Sequence, residues 1–261
     1  MLMRILVTFA AQAEFGPWRA RCGFQTCRLQ GGSPEDGARL YEVAFHGCTV
    51  RVLLTGIGLL NASRSAETAL EGGFDACISS GLAGALRPEY QVGDIVAARR
   101  VVHPGSGPLL SSDEEFLTEA AACGAKLADG LVSSDALAVS SEQKRGLAQF
   151  GDAVDMESYA VLKAAQGLGV PAIAVRAISD AAEEELPLDF SQVMNERGEI
   201  EALRLMGHLA KHPGCIPGVV RLGRQCRKGA RRLADFLERY VVALAARKRP
   251  LKGGQCEEVI A

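Results

Sequence analysis

Apolar strand-like runs alternate with helix-like segments over the first 180 residues, and this alternation is the strongest constraint on the fold. The runs at residues 3–9, 76–80 and 171–179 are rich in β-branched or small apolar residues, as buried strands are. The run at 76–80 is expected to end in a glycine-bearing turn. Residues 157–168 carry apolar side chains at helical spacing and stop at Gly169. Ser112-Asp113 predicts an N-cap for a helix that runs towards Leu127, and Ser140 with Gln143 fits a capping box for the next helix. Strands that alternate with helices form a largely parallel sheet with helices on both faces. We therefore expect an α/β chain, a three-layer αβα sandwich with a mixed, mostly parallel central sheet.

A different pattern begins near residue 200, where the sequence becomes helical and basic. Residues 198–214 indicate one helix and residues 217–248 a second, longer one, with arginines and lysines between its apolar positions. Those apolar positions recur every three or four residues, at Cys226, Ala230, Leu233, Leu237, Tyr240 and Leu244. We expect a main domain over residues 1–200 and a helical, basic C-terminal extension over residues 201–261 that packs on the same domain.

Composition excludes several functional classes. The 261-residue chain is 48% hydrophobic and 23% charged, and its net charge of −2 gives no electrostatic reason to expect nucleic-acid binding. There is no apolar run of about 18 residues to span a membrane and no signal-peptide pattern, so we expect a cytoplasmic protein. The eight cysteines and four histidines are not spaced as metal ligands, so we expect reduced thiols, no metal and no cofactor.

Two acidic residues, Glu157 and Asp180, bracket a segment so apolar that most of it must lie in the core. A buried carboxylate is costly unless it is paired, hydrogen-bonded or protonated. A third acid, Glu14, stands among apolar neighbours just beyond the first strand, where ligands bind in open α/β sheets. Structural explanations are also open, because Glu157 could favour a helix dipole and Asp180 could cap a following helix.

Five segments, in order along the chain, resemble the nucleoside phosphorylase and nucleosidase superfamily, and most of all its methylthioadenosine/S-adenosylhomocysteine nucleosidases. They are TGIGLLNAS (55–63), SGLAGALRPEYQVGDIV (80–96), SSDALA (133–138), VDMESYAV (154–161) and VPAIAVRAISDAA (170–182). Five collinear motifs are far more specific than one glycine-rich turn. The resemblance implies a nucleoside phosphorylase-like fold for a catalytic domain over residues 1–200. It also implies hydrolysis of the N-glycosidic bond of a 5′-substituted adenosine, with release of adenine.

The same resemblance implies roles for the acids. Asp180 would protonate N7 of the departing purine, and burial at the end of an apolar strand would favour the protonated form that a general acid needs. Glu157 would accept hydrogen bonds from the 2′- and 3′-hydroxyls of ribose as an ionised acceptor, and Met156 would lie against the sugar. Glu14 would activate the attacking water, although the family usually has a more acidic cluster there than AAQAEF.

Backbone groups and small residues complete the substrate site that the resemblance implies. Main-chain groups near Leu137 and Ala138 would bind adenine. Leu137 stands where the family usually has an aromatic residue, so stacking on the purine would be weaker. The other expected contacts are Gly58, Ala83, Gly84 and Ser179.

The residues at 79–82 favour water over phosphate as the nucleophile. Phosphorylases of the superfamily bind phosphate with an Arg and a Ser or Thr in the motif RxG(S/T). Here those positions hold Ser79 and Leu82, and a leucine side chain cannot bind a dianion. A purine nucleoside phosphorylase and a catalytically inactive nucleoside-binding protein remain as alternatives, because a fold does not determine a function.

The C-terminal segment resembles the hopanoid-biosynthesis branch, which is thought to remove adenine from adenosylhopane. An adenosylhopane nucleosidase is therefore a further alternative, and the 5′ substituent stays open. The family resemblance implies a homodimer that binds a small nucleoside. A basic amphipathic helix could also make peripheral contact with an anionic membrane. The alternative is that its apolar face packs on the domain or on a second subunit.

Overall fold

The computed structural model describes residues 2–27, 39–45, 47–105, 107–193, 195 and 201–247. Within them the strands are β1 (Met3–Phe9), β2 (Gln25–Cys27), β3 (Arg39–Phe45), β4 (Cys48–Leu54), β5 (Ala76–Ala85), β6 (Ile95–Val102), β7 (Leu110–Ser111), β8 (Lys126–Ser133), β9 (Ala153–Asp155) and β10 (Ala172–Asp180). The helices are α1 (Gln12–Cys22), α2 (Leu59–Leu70), α3 (Glu114–Ala122), α4 (Ser141–Leu147), α5 (Ser158–Gly167), α6 (Ala202–Lys211) and α7 (Ile216–Arg247). Two short 3₁₀ turns lie at Phe190–Val193 and Pro213–Cys215.

The strands form one mixed sheet in the order β10-β6-β8-β9-β5-β1-β4-β3-β2. The neighbours β4, β1, β5 and β10 run parallel, whereas β10 and β6 are antiparallel. β5 also pairs with β9 at Gly84 and Ala85, so β5, β10, β6, β8 and β9 close into a ring. The predicted α/β class with a mixed central sheet is confirmed, and the ring brings the ends of β5, β9 and β10 together.

β5 differs from its prediction. The apolar pattern predicted that the strand ends at residue 80 and that a glycine-bearing turn follows. In the structure the strand continues through Gly81 and Gly84 to Ala85. Both glycines stand where another chain segment comes close. A Cβ at position 81 would lie 3.0 Å from a carboxylate oxygen of Glu14, and one at position 84 would lie 2.9 Å from Oδ2 of Asp180. These glycines therefore serve close approach within a strand rather than a turn.

The local signals for helix ends are confirmed. The side chain of Asp113 caps α3 by accepting from two backbone N–H groups. Ser140 and Gln143 form a capping box at the start of α4. These helices begin where the sequence patterns predict because the caps are local interactions.

The apolar face of α7 is buried in the same core as β1. Leu233, Leu237, Tyr240 and Leu244 are buried together with Ile5 and its neighbours, and the hydroxyl of Tyr240 donates to the carbonyl of Phe116 at 2.9 Å. The C-terminal half of α7 therefore packs on the domain. This was one of the two roles considered for the helix from the sequence, the other being contact with a membrane. Among the described helices, none combines the length and apolar character needed to cross a membrane.

Candidate active site

Two acidic side chains lie at the second half of β5, and a third is close to one of them. Glu14, in the first turn of α1, accepts a hydrogen bond from the N–H of Leu82 at 2.9 Å. Asp180 ends β10 and lies beside Gly84. Glu157 is near enough to Glu14 for the charge of Glu14 to raise its pKa. The three acids selected from the sequence are therefore near one another.

Glu14 occupies an anion site built from backbone N–H groups. One carboxylate oxygen accepts from the N–H groups of Ala10 and Ala11, both at 3.0 Å, and the other accepts from Leu82. Burial raises the pKa of Glu14 above its ordinary value, while these N–H donors and the Arg176 guanidinium oppose the rise. The result is a carboxylate held firmly by the backbone at the edge of the sheet where ligands bind.

Glu157 has far fewer partners. It immediately precedes α5 but makes no capping hydrogen bond to that helix. Its Oε1 accepts from the N–H of Gly58 at 2.8 Å. Burial, followed by the negative charge of Asp155, raises the pKa of Glu157 to about 8. At neutral pH the carboxyl of the free site therefore favours its protonated form, whereas the sequence analysis expected an ionised acceptor.

Behind Glu157 lies a buried ion pair that the sequence analysis did not select. Asp155 Oδ2 accepts from two guanidinium nitrogens of Arg176, at 2.9 and 2.5 Å, and from the N–H of Ser158 at 3.0 Å. The hydroxyl of Ser133 donates to Oδ1 at 2.6 Å. Arg176 is a charged residue in a mostly apolar strand, and a buried charge needs a partner. This sequence context was the signal from which the ion pair could have been predicted. The pair fixes the chain segment that carries Glu157.

Asp180 is also paired, which burial alone did not predict. Its Oδ2 accepts from Nζ of Lys144 at 2.5 Å, and its Oδ1 accepts from the hydroxyl of Ser179 at 2.6 Å. Ser179 is also 3.1 Å from the carbonyl oxygen of Ala83. Neither the ammonium partner nor the hydroxyl partner of Asp180 was predicted from the sequence. The next helical turn begins only at Phe190, so Asp180 does not cap a helix.

The segment expected to bind adenine lies between β8 and α4. Leu137 is half-buried, and Ala138 is buried in a small cluster with Leu86, Val132 and Val154. Met156 is half-buried next to Glu157. In the structure, two of the other expected contacts have internal partners, since the N–H of Gly58 donates to Glu157 and Ser179 contacts Asp180.

The helix α7 covers this end of the sheet. Burial, and then the charges of Asp180 and Glu14, raise the pKa of the Cys226 thiol, which places this part of α7 close to both acids. A side chain on Gly229 would touch Leu82 at 3.0 Å. The C-terminal helix is therefore part of the wall around the acids.

The groups that could bind a phosphate dianion already have partners. The N–H groups of Ala10, Ala11 and Leu82 donate to Glu14. Arg176, a nearby cation that the sequence analysis missed, donates to Asp155 and to the hydroxyl of Ser79. A phosphate would have to approach the Glu14 carboxylate, and two anions repel each other. The arrangement suits a neutral water better.

Comparison with known proteins gives consistent matches. The family described as the Phosphorylase superfamily matches residues 4–207. A 5′-methylthioadenosine/S-adenosylhomocysteine nucleosidase of Anoxybacillus flavithermus is 30% identical over 181 residues, which are 60% of this chain and 78% of that protein.

Solved structures show the same fold at lower identity. A futalosine hydrolase mutant of Helicobacter pylori has a TM-score of 0.71 and 20% identity, covering 92% of this chain and 99% of the other. The methylthioadenosine/S-adenosylhomocysteine nucleosidase of Neisseria meningitidis, in complex with methylthio-immucillin-A, has a TM-score of 0.70 and 21% identity, covering 93% and 100%.

Proposed function

Because the chain belongs to the phosphorylase superfamily, we propose that it is a purine nucleosidase. It hydrolyses the N-glycosidic bond of a 5′-substituted adenosine, of the methylthioadenosine or S-adenosylhomocysteine type, and releases adenine. The observation that carries this proposal is the buried group of three acids: Glu14 and Asp180 lie at the second half of β5, and the charge of Glu14 acts on Glu157. The named relative, a nucleosidase, supports the same reaction class.

In the proposed mechanism Asp180 is the general acid. As the bond between C1′ and N9 breaks, its electron pair moves into the purine, and N7 takes a proton from Asp180. The ribose develops oxocarbenium character, and Glu157 binds its 2′- and 3′-hydroxyls. Glu14 takes a proton from water, whose oxygen bonds to C1′. Because Glu14 is buried and its pKa is raised, it is a better proton acceptor than an exposed glutamate.

The remaining substrate contacts belong to the same proposal. Met156 contacts the sugar, main-chain groups of Leu137 and Ala138 bind adenine, and Ser179 orients Asp180 through its hydrogen bond. The small residues Gly58, Ala83 and Gly84 let the backbone approach the nucleoside.

A product assay with and without phosphate tests the proposal. We expect methylthioadenosine to yield adenine and the free sugar at the same rate in phosphate-free buffer. Formation of a sugar 1-phosphate would instead identify a phosphorylase. Absence of adenine from methylthioadenosine, S-adenosylhomocysteine, adenosine and adenosylhopane would favour the alternative of an inactive nucleoside-binding protein.

One observation favours a bulky apolar 5′ substituent, as in adenosylhopane, as the second candidate substrate. Leu203 and Met206 on α6 are 84% and 66% exposed, and Ile216 and Val220 at the start of α7 are 43% and 46% exposed. This surface adjoins the segment after Asp180, because Gly218 lies against Pro187. A direct comparison of kcat/KM for methylthioadenosine and adenosylhopane distinguishes the two candidates.

The same four exposed side chains are the basis for a proposed peripheral membrane contact. The buried half of α7 cannot provide it, because its apolar face packs on the domain. Cations near the exposed residues, such as Lys211 and Arg224, would meet anionic headgroups. We expect the protein to co-sediment with phosphatidylglycerol vesicles and not with phosphatidylcholine vesicles, and Leu203→Glu with Met206→Glu to abolish the difference.

The organisation of the chain follows from the same family assignment. We propose a catalytic domain over residues 1–200 with a helical extension over residues 201–261, a homodimer, and a cytoplasmic location. The seven described cysteines are all free thiols, which is consistent with a reducing compartment. Light scattering during size-exclusion chromatography measures the oligomeric state.

A further inference from the structure

Lys144 is a buried cation that the mechanism above leaves without a role. Its side chain is 2% exposed. Its Nζ donates to Asp180, to the carbonyl of Ala181 at 2.7 Å and to the carbonyl of Glu184 at 2.8 Å. An ammonium group has three protons, so these three acceptors satisfy all of them. A lysine buried this completely must be compensated by such partners.

The position of Lys144 links the acid to the segment proposed to bind adenine. Lys144 lies on α4, four residues after Ser140, and the backbone N–H of Lys144 donates to the carbonyl of Ser140 at 3.1 Å. Ser140 ends the segment that contains Leu137 and Ala138 and forms the capping box of α4. Lys144 therefore contacts the segment proposed to bind adenine through its backbone N–H. It contacts Asp180 and the chain after Asp180 through its side chain.

We propose that Lys144 is a positioning residue for Asp180, an inference that rests on the proposed nucleosidase function. It fixes the orientation of the carboxyl group and stabilises the negative charge that forms on it. When the O–H bond of Asp180 breaks and the N7–H bond forms, the O–H electron pair stays on Asp180. That new charge lies in contact with the Lys144 ammonium, which keeps its three protons throughout. Lys144 thereby makes Asp180 a stronger acid at the moment of bond cleavage.

The other charged groups around the pair are engaged elsewhere or face it from α7. The carboxylate of Glu184 pairs with Arg221 at 2.9 Å, and Glu185 contacts the hydroxyl of Ser141. Cys226 faces Asp180 from α7, and Glu14 acts on that same thiol. Within the described ranges, Lys144 is the cation that the ion pairs place in contact with Asp180.

The test compares Lys144→Met with Lys144→Arg, using kcat and KM for methylthioadenosine measured separately. We expect Lys144→Met to lower kcat by about tenfold to a hundredfold, since one electrostatic contact to a developing charge is lost. KM should stay near its wild-type value, because that charge forms only in the transition state. Lys144→Arg keeps the charge and should restore most of the lost kcat.

A surface lysine provides the matched control. Lys126 pairs with Asp94 at 2.6 Å and is 51% exposed, so it is also a lysine–aspartate pair but lies outside the site. Lys126→Met should leave both kcat and KM unchanged. A change in both methionine variants would show a general effect of charge and would overturn the proposal.

The outcomes separate this proposal from the function on which it rests. A folded Lys144→Met enzyme in which KM changes as much as kcat, or whose kcat Lys144→Arg does not restore, overturns the positioning role, because a purely structural lysine would behave that way. If Lys144→Met does not fold, Lys144→Gln carries the same test, since its amide still donates to a carbonyl oxygen. Absence of adenine from the wild-type enzyme instead refutes the proposed function itself, and this role with it.

Discussion

Asp155 and Glu157 are two residues apart and both buried, but the protein supplies many hydrogen-bond donors to Asp155 and few to Glu157. Asp155 is surrounded by donors from Arg176, Ser133 and the backbone of Ser158. Glu157 accepts from Gly58 alone among the hydrogen bonds found in the described residues. Burial raises the pKa of Glu157 to about 8, as expected for a carboxyl with few compensating partners.

This difference separates a structural carboxylate from one that is available to a ligand. A carboxylate whose acceptor positions are filled by the protein holds the fold and has no capacity for substrate hydroxyls. A buried carboxyl with one donor retains capacity for further hydrogen bonds. Asp180 lies between the two extremes, because it has protein partners yet ends a strand beside Gly84 at the proposed site. Four predictions test the comparison.

The largest effect is expected from Asp180→Asn. The amide has no acidic proton to give to the purine, so we expect kcat to fall by about 1,000-fold, roughly 4 kcal/mol in the barrier. Steady-state release of adenine from methylthioadenosine measures the loss. Turnover at the wild-type rate would remove Asp180 from the mechanism and leave it a structural residue like Asp155.

Asp155→Asn should act on folding. Removing the negative charge leaves Arg176 buried without its counterion, and breaking a buried pair costs about 3 kcal/mol or more. Urea unfolding of the variant and the wild type gives the difference in free energy of unfolding. A variant as stable as the wild type but without activity would reverse the assignment of Asp155 and Glu157.

Glu157→Gln should act on turnover and leave the fold intact. The glutamine oxygen can still accept from Gly58, but the amide nitrogen has no lone pair to accept a hydrogen bond from a ribose hydroxyl. We expect kcat/KM to fall by about 100-fold, roughly 2.7 kcal/mol, with no loss of stability at pH 8. Kinetics and urea unfolding on the same preparation check both parts; a large loss of stability would contradict the comparison.

The effect that is smallest over one pH unit is a pH dependence of stability. Glu157 titrates near 4.5 when unfolded and near 8 when folded, so the folded protein binds more protons between these values. Its contribution to stability is therefore fully present below about pH 4.5 and is lost as pH rises through about 8. The slope is at most about 1.4 kcal/mol per pH unit. The difference between wild type and Glu157→Gln in urea unfolding isolates it, and parallel curves would contradict the assignment.

Local signals predicted the parts of the fold that depend on neighbouring residues. The cap at Asp113, the capping box at Ser140 and the apolar stripe of α7 all depend on spacing within one segment, and they were confirmed. The strand β5 was misread at Gly81, because a glycine beyond an apolar run usually signals a turn. Its actual reason is the approach of Glu14 from another part of the chain.

The partners of the acids were beyond what the sequence alone could predict. Lys144 and Asp180 are 36 residues apart, and Arg176 and Asp155 are 21 residues apart. A charged residue in an apolar segment is predicted to be buried and therefore to need a partner of opposite charge. The sequence contains many residues of opposite charge, so it does not say which one is the partner. Only the pairing of strands and the packing of α4 on the end of β10 select among them.

By itself, the sequence determined the α/β class, the helix ends, the superfamily and the three acids that stand out against apolar surroundings, because each is written in short-range patterns or motifs. The tertiary structure decided which carboxyl groups are neutralised by the protein and which remain open to a ligand. That outcome depends on burial and on charges brought together from distant segments, since electrostatic energies are set by distance in space and by the surrounding dielectric.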